Sequence, residues 1–195
     1  MITSLESLDL TKTYSYADYL TWQFTERIEL LRGYIRQMAA PTPRHQKISF
    51  KLVKQIGYFF EKKPCQIYYA PFDVRLYNRS KSLLLDKDVY TVVQPDISVI
   101  CDESKIDNKG CNGSPDWIIE ILSPSNQQVD LKDKYELYQE NGVLEYWIVF
   151  PNDNVIQQFV LKDGKYVHTG LFSPTETISP ALFPDLAVDV SEVFL

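Results

Sequence analysis

One carboxylate in this sequence lies in the middle of an otherwise apolar run. Glu120 belongs to the segment Asp116 to Leu122, whose side chains alternate between two faces of a predicted strand. Both faces are apolar apart from Glu120, so we expect the strand to be buried on both sides. Because a buried carboxylate without a partner is costly, Glu120 needs either a structural ion pair or a metal ion.

A second carboxylate stands directly ahead of another apolar run. Asp96 follows Pro95 and precedes the residues ISVI, and proline fits the start of a strand because its missing N–H costs no ladder bond there. Pro-Asp pairs are also common in turns, so this pair alone is weak evidence. Together with Glu120 it gains weight, because two carboxylates on neighbouring strands offer the oxygen ligands that Mg²⁺ prefers.

The elements around these carboxylates indicate a mixed sheet with flanking helices, an α/β (α+β) fold. A helix from Asp130 to Gly142 separates the Glu120 strand from the strand EYWIVF, which predicts a crossover within the sheet. Further predicted strands are QIYYAPFDVRL, DISVIC, VIQQFVL and KYVHTGL, with a hairpin at ELLRGYIRQM and a short strand and turn in the C-terminal tail. A helix is expected over residues 16–26, and a longer one after the prolines of PTPRH.

The longer helix has two distinct sides. Ile48, Leu52, Ile56, Phe59 and Phe60 keep a helical period and should face the core. A positive stripe of Arg44, Lys47, Lys51 and Lys54 occupies the other side. The stripe is either a surface for a nucleic-acid backbone or an ordinary solvated helix face.

Several motifs together resemble the Uma-type putative restriction endonuclease family of the PD-(D/E)XK nuclease superfamily. The superfamily pattern is PD followed by (D/E)-x-K, and here Glu120-Ile121-Leu122 has leucine where the pattern has lysine. The Uma-type family shows the same replacement, with its lysine moved to the following helix. The matching segments are Ile28 to Gly33, Phe72 to Leu76, Gln94 to Val99, Pro115 to Ser125, and Gly142 to Val149, with His45, Asp130, Lys134 and Tyr135 between them.

The resemblance implies a restriction-endonuclease-like fold over residues 1–195 and metal-dependent hydrolysis of DNA. Asp96, Glu120 and the backbone carbonyl of Ile121 would hold Mg²⁺ or Mn²⁺. Lys134 is expected on the flank of a helix whose apolar stripe includes Leu131 and Tyr138, and it would supply the relocated lysine; the alternative is an ion pair with Asp130.

Other candidates have weaker support. Glu29 matches a family glutamate near the site, and the alternative is a surface strand carboxylate. Asp73 either hydrogen-bonds within the site or pairs with Arg75, and we favour the pair. His45 is interpreted as a structural residue at a helix start rather than as a general base. Ser123 and Ser125 either line the cleft or belong to a turn.

Composition limits the remaining possibilities. The length of 195 residues suits one domain, and the formal net charge of -6 argues mildly against a protein that coats nucleic acid. Three cysteines at unrelated spacings suggest free thiols in a reducing compartment, and no signal peptide or apolar span is evident, so we expect a cytoplasmic protein without a membrane partner.

Two other functions remain open at this stage. One is a catalytically silent nucleic-acid-binding or interaction module that keeps the nuclease fold. The leucine at position 122 and the negative net charge favour it. The other is action on RNA or another phosphate ester, because a fold does not fix a substrate. Analogy with restriction-type enzymes, which cut two strands, suggests a homodimer.

Overall fold

The computed structural model describes residues 2–77, 85–123 and 129–195, with the side chains of residues 129 and 130 outside the described part. The helices in these ranges are α1 (Tyr16–Tyr19), α2 (Pro43–Phe60), α3 (Tyr135–Asn141) and α4 (Val190–Phe194). A π-helical stretch, Val129–Lys134, runs directly into α3. Short 3-10 turns lie at Leu5–Ser7, Asp86–Asp88 and Glu103–Lys105.

The strands in chain order are β1 (Ile28–Leu31), β2 (Tyr34–Gln37), β3 (Gln66–Tyr69), β4 (Val74–Arg75), β5 (Val92–Val93), β6 (Ile97–Ile100), β7 (Ile106–Asp107), β8 (Gly110–Asn112), β9 (Trp117–Ile121), β10 (Glu145–Phe150), β11 (Val155–Lys162), β12 (Lys165–Phe172), β13 (Thr177–Ile178) and β14 (Val188–Asp189). They form sheet I, of order β2-β1-β5-β4-β8-β7, sheet II, of order β12-β11-β10-β9-β6-β3, and the pair β13-β14.

Sheet II confirms the predicted crossover. β9 and β10 pair in parallel, with Glu120 opposite Ile148, and the chain between them contains the π-helical stretch and α3. The neighbouring pairs β9-β6, β6-β3, β10-β11 and β11-β12 are antiparallel. The mixed sheet with flanking helices is therefore as predicted, and sheet I adds a second mixed sheet to it.

Sheet II is covered on both faces. Trp117 and Trp147 pack edge to face against each other, 4.6 Å between ring centroids, in a cluster with the buried side of α2. Ile118, Ile148 and Tyr138 belong to a second cluster, shared with α3 and sheet I. All five residues of β9 are buried, so Glu120 does lie in a doubly covered strand.

The start of α2 is set by its sequence. The Thr42 side chain accepts a hydrogen bond from the backbone N–H of His45, and Pro43 occupies the first helical position, where it has no N–H to leave unsatisfied. Ile48, Leu52 and Ile56 are buried as predicted. Burial of this apolar side orients the first turn of α2, with His45, toward the end of sheet II.

Three local predictions are wrong in part. The expected helix over 16–26 is confined to α1, because Trp22 leaves the helix and pairs its backbone with Ile2. Leu131, predicted on the buried stripe, is 38% exposed, since the π-helical turn changes the angular spacing of the residues that precede α3. The C-terminal tail forms the expected strand, β14, but then continues as α4.

The expectation of free thiols is also wrong for two of the cysteines. Gln66 and Ile100 are opposite each other in the antiparallel pair of β3 and β6, so the adjacent Cys65 and Cys101 meet across the strands and form a disulfide. Cys111 is free and buried. The spacing of the cysteines in sequence does not contain the strand register that brings this pair together.

Within the described ranges, no helix combines the length and the apolar character that crossing a membrane would require.

Candidate active site

A cleft of about 150 Å³ opens where β6 begins, β9 ends and α2 starts. Its lining includes Asp96, Glu120, Ile121 and Lys134, and therefore four of the five residues that the sequence assigned to the site. β6 and β9 are antiparallel, so the first residue before β6 and the last residues of β9 reach the same end of sheet II. The strand pairing thus brings the two carboxylates together.

Asp96 is held by the backbone and by a histidine. Its Oδ2 accepts a hydrogen bond of 2.7 Å from the N–H of Ile121 and lies 3.1 Å from Nε2 of His45. A carboxylate only accepts, so Nε2 carries the proton in this contact. His45, interpreted from the sequence as a structural residue, is in direct contact with the Asp96 carboxylate.

Glu120 has the partner that its buried position demanded. Nζ of Lys134 lies 3.0 Å from Glu120 Oε1 and 3.0 Å from Glu29 Oε1, and all three side chains are 4% exposed. Lys134 therefore bridges two buried carboxylates from different sheets. Glu29 is not the surface carboxylate of the alternative interpretation, and it also accepts a hydrogen bond of 2.8 Å from the N–H of Gln94.

The phenol of Tyr138 completes the surroundings of Glu120. Its hydroxyl donates a hydrogen bond of 2.6 Å to Glu120 Oε1. Burial, and then the negative charge of Glu120, raise the pKa of Tyr138 well above its ordinary value, so the hydroxyl keeps its proton. The sequence interpretation placed Tyr138 in the core, although its spacing of four from Lys134 puts both residues on one helix face.

A second layer of polar side chains lies behind the cleft. Asp73 accepts hydrogen bonds from Gln94 Nε2 at 2.9 Å and from the hydroxyls of Tyr16 and Tyr19, both at 3.3 Å. Burial raises the pKa of Asp73 above its ordinary value. Asp73 therefore follows the alternative of hydrogen bonding next to the site, and the favoured pair with Arg75 is not among the ion pairs of the described residues.

The structure also gives the surroundings of Arg75 and of the two candidate serines. Arg75 forms its ion pair with Asp107, at 2.6 Å. Ser123 lines the cleft, whereas Ser125 and the side chain of Asp130 lie outside the described residues.

Two of the four residues of the positive stripe on α2 have polar contacts within the molecule. Arg44 donates to the carbonyl of Pro151 and to Asn154, and Lys51 lies 3.4 Å from a carboxylate oxygen of Glu192. Lys51 is thereby paired with an opposite charge, whereas Arg44 is held in position by neutral acceptors and keeps its charge. The solvated-face interpretation describes the remaining two, which are exposed.

The oxygen ligands in the cleft suit a hard divalent cation that keeps water ligands. Asp96, Glu120 and the backbone of Ile121 line one wall, and Mg²⁺ usually binds through one or two carboxylates together with waters and phosphate oxygens. In the described parts of the chain, no group of three or more His, Cys, Asp or Glu side chains forms a closed metal cage. Asp96 and Glu120 are carboxylates of the type that such a cation uses, and both belong to the lining of the cleft.

Sequence comparison gives matches over most of the chain. The model of the Uma2 family, described as putative restriction endonuclease, matches residues 16–191. The uncharacterized protein slr1290 of Synechocystis sp. is 26% identical over 140 residues, covering 71% of this chain and 68% of that protein. The uncharacterized protein sll1609 of the same organism is 25% identical over 164 residues, covering 82% of this chain and 84% of that protein.

Structural comparison also gives a match over most of the chain. The crystal structure of a putative nuclease belonging to DUF820 from Anabaena variabilis aligns with a TM-score of 0.71, covering 92% of this chain and 97% of that chain. The sequence identity in this alignment is 21%, so the likeness is one of fold. The fold expected from the sequence motifs is thereby confirmed.

Proposed function

Since the chain belongs to the Uma2 putative restriction endonuclease family, we propose that it is a metal-dependent endonuclease that hydrolyses phosphodiester bonds of DNA. The observation that carries the proposal is the meeting of Asp96, Glu120 and Lys134 in one cleft. The lysine comes from the segment after β9, as the motif with leucine at position 122 requires. The arrangement joins three distant parts of the chain around a solvent-connected cavity.

The charge of the site favours a cation. Lys134 supplies one ammonium against the carboxylates of Glu29 and Glu120, and Asp96 adds a third carboxylate on the cleft wall. With Arg27 and a neutral imidazole at His45, which both line the cleft, the three carboxylates outweigh the two positive charges. A divalent cation would balance this excess and would bring a phosphodiester to an otherwise repulsive site.

Asp96, Glu120 and the carbonyl of Ile121 would hold Mg²⁺ or Mn²⁺. The chemistry that such a cation supplies is Lewis-acid polarisation of a phosphoryl oxygen and a lower pKa for a coordinated water. His45 and the N–H of Ile121 fix the orientation of the Asp96 carboxylate. Lys134 and Tyr138 fix Glu120, and the ammonium of Lys134 stabilises negative charge that develops on the phosphate.

Cleavage of supercoiled plasmid DNA with Mg²⁺ or Mn²⁺ tests the proposal. We expect Asp96→Asn and Glu120→Gln to lower the cleavage rate by about a hundredfold or more, because each removes a charged ligand of the cation. Isothermal calorimetry with Mn²⁺ should show weaker binding in both variants. The matched control is Glu136→Gln, an exposed carboxylate on α3, which should leave both measurements unchanged.

Lys134→Met tests the relocated lysine in the same assay. We expect this change to abolish cleavage, whereas Lys132→Met, at an exposed position of the same helical segment, should not affect it.

Cleavage that persists in Asp96→Asn and Glu120→Gln would refute the assignment of the two carboxylates. DNA binding by the wild type without cleavage in any divalent cation would favour the silent binding module instead, and preferential cleavage of RNA would correct the substrate.

A further inference from the structure

A second cavity, of about 180 Å³, shares Arg27 with the cleft as a lining residue. Its lining, the aromatic pocket, consists of Tyr19, Trp22, Phe24, Glu26, Arg27, Ile28 and Gln94. We propose that the aromatic pocket receives an unpaired nucleobase of the substrate while Arg27 holds the adjoining phosphate at the cleft. This inference rests on the proposed function and narrows its substrate to nucleic acid with a locally unpaired nucleotide.

Three aromatic rings give the pocket the character of a base-stacking site. Trp22 and Phe24 are stacked on each other, with ring centroids 5.5 Å apart, and Tyr19 is tilted against Trp22 at 6.0 Å. All three side chains are only partly buried. Aromatic rings that keep part of their surface accessible are the side chains on which proteins stack bases of single-stranded nucleic acid.

Arg27 connects the pocket to the catalytic cleft. It lies directly before β1 and lines both the cleft and the aromatic pocket. Its Nε and Nη2 donate to the neutral Oε1 of Gln94 at 3.1 and 2.9 Å. Gln94 is itself held by Asp73 through a bond of 2.9 Å, so the guanidinium is fixed in position.

The charge of Arg27 is not neutralised by the protein. Across residues 2–77, 85–123 and 129–195 it forms no ion pair with a carboxylate. A planar guanidinium with a free charge binds phosphate through paired N–H groups. A phosphate at Arg27 would therefore contact the cleft on one side and direct its nucleoside into the aromatic pocket on the other.

The geometry requires an unpaired base. In a duplex the bases are stacked inside the helix, and a base reaches a side pocket only when it is splayed out of the stack or belongs to a single strand. Glu26 at the pocket rim offers a carboxylate to a base N–H, such as the N3–H of thymine. The same negative charge repels a second phosphate, so the pocket accepts a base rather than more backbone.

Tryptophan fluorescence provides a direct test, because the other two tryptophans, Trp117 and Trp147, are 0% exposed. The probes are a short single-stranded oligothymidylate and an abasic deoxyribose-phosphate oligomer of the same length, titrated with Ca²⁺ in place of Mg²⁺ and checked on a gel to be uncut. We expect the oligothymidylate alone to quench the fluorescence and to bind more tightly than the abasic oligomer. Trp22→Phe should abolish the quenching but keep the binding, measured by fluorescence anisotropy of a labelled probe.

Variants separate stacking from phosphate binding. Phe24→Ala should weaken oligothymidylate binding about tenfold without changing abasic binding, and Phe24→Tyr should retain wild-type affinity. Arg27→Gln should weaken the binding of both oligomers. The control is Tyr58→Ala, which removes an aromatic side chain that is 83% exposed near the far end of α2 and should change neither.

Equal binding of the two oligomers, or equal losses in Phe24→Ala and Tyr58→Ala, would overturn the proposed base pocket. Quenching by oligothymidylate in a protein that cleaves no nucleic acid would leave the base pocket in place and refute the nuclease function. If oligothymidylate does not quench the fluorescence of a protein whose cleavage depends on Glu120, the base pocket is refuted and the nuclease function is not.

Discussion

At the scale of single residues, Glu120 shows how far a sequence argument reaches. A lone carboxylate in an apolar strand required either an ion pair or a metal ion, and the structure shows an ion pair with Lys134, the residue predicted as the relocated lysine. The sequence could not show that Glu29 shares the same ammonium, because β1 belongs to another sheet. It also could not assign Tyr138, because a tyrosine on an apolar helix face is usually a core residue.

Tyr138→Phe should destabilise the fold more than a matched loss of another buried hydroxyl. Tyr138 donates to a carboxylate, and hydrogen bonds to charged groups contribute about 1.5–3 kcal/mol. In the control, Tyr166→Phe, the lost bond of 3.0 Å ends on the neutral carbonyl of Val143 and should cost about 0.5–1.5 kcal/mol. Urea denaturation measures both free energies of unfolding, and equal losses would show that Glu120 does not depend on Tyr138.

At the scale of elements, long regular segments were predictable and irregular ones were not. α2, β9, β10 and the crossover between them follow from strong periodicity, from a proline at the helix start and from continuous apolar runs. The π-helical turn before α3 has no signature in the sequence. It nevertheless determines which side chains face sheet II, because with this spacing Leu131 is exposed and Lys134 is buried.

Two glycine substitutions should have opposite effects on these helices. Gly142 ends α3 with a φ of +76° and has open space around a would-be Cβ, so Gly142→Ala should cost about 1–2 kcal/mol from backbone strain alone. Gly57 lies inside α2, where an added Cβ would make an ordinary contact of 3.9 Å with Ile67. Gly57→Ala should therefore stabilise by about 0.5–1 kcal/mol.

Thermal denaturation of the two variants measures these effects with the same assay. A stabilised Gly142→Ala variant would mean that the C-terminal turn of α3 differs from the left-handed conformation described above. A destabilised Gly57→Ala variant would mean that the side of α2 facing β3 has no room for a methyl group.

At the scale of the whole molecule, the fold class and the place of the site followed from motifs, whereas long-range side-chain pairings did not. The favoured pair of Asp73 with Arg75 is an example, because sheet I places Asp107 beside Arg75 instead. Cys65 and Cys101, separated by 36 positions, form a disulfide because the pairing of β3 with β6 brings them together. Strand register brings such residues together, and a single sequence without known pairings carries little information about register.

Thiol counting with Ellman's reagent at pH 8 tests the cysteine assignment. Burial raises the pKa of Cys111 to about 12, so at pH 8 this residue is almost entirely the unreactive thiol, and it is also shielded from the reagent. The native protein should therefore react at none of its three cysteines, the unfolded protein at Cys111 alone, and the reduced, unfolded protein at all three. Cys111→Ser should remove the signal of the unreduced, unfolded protein, whereas Cys101→Ala should raise it from one thiol to two by releasing Cys65. Three reactive thiols in unfolded wild type before reduction would show that the β3–β6 edge of sheet II is held by its hydrogen bonds and packing without the disulfide.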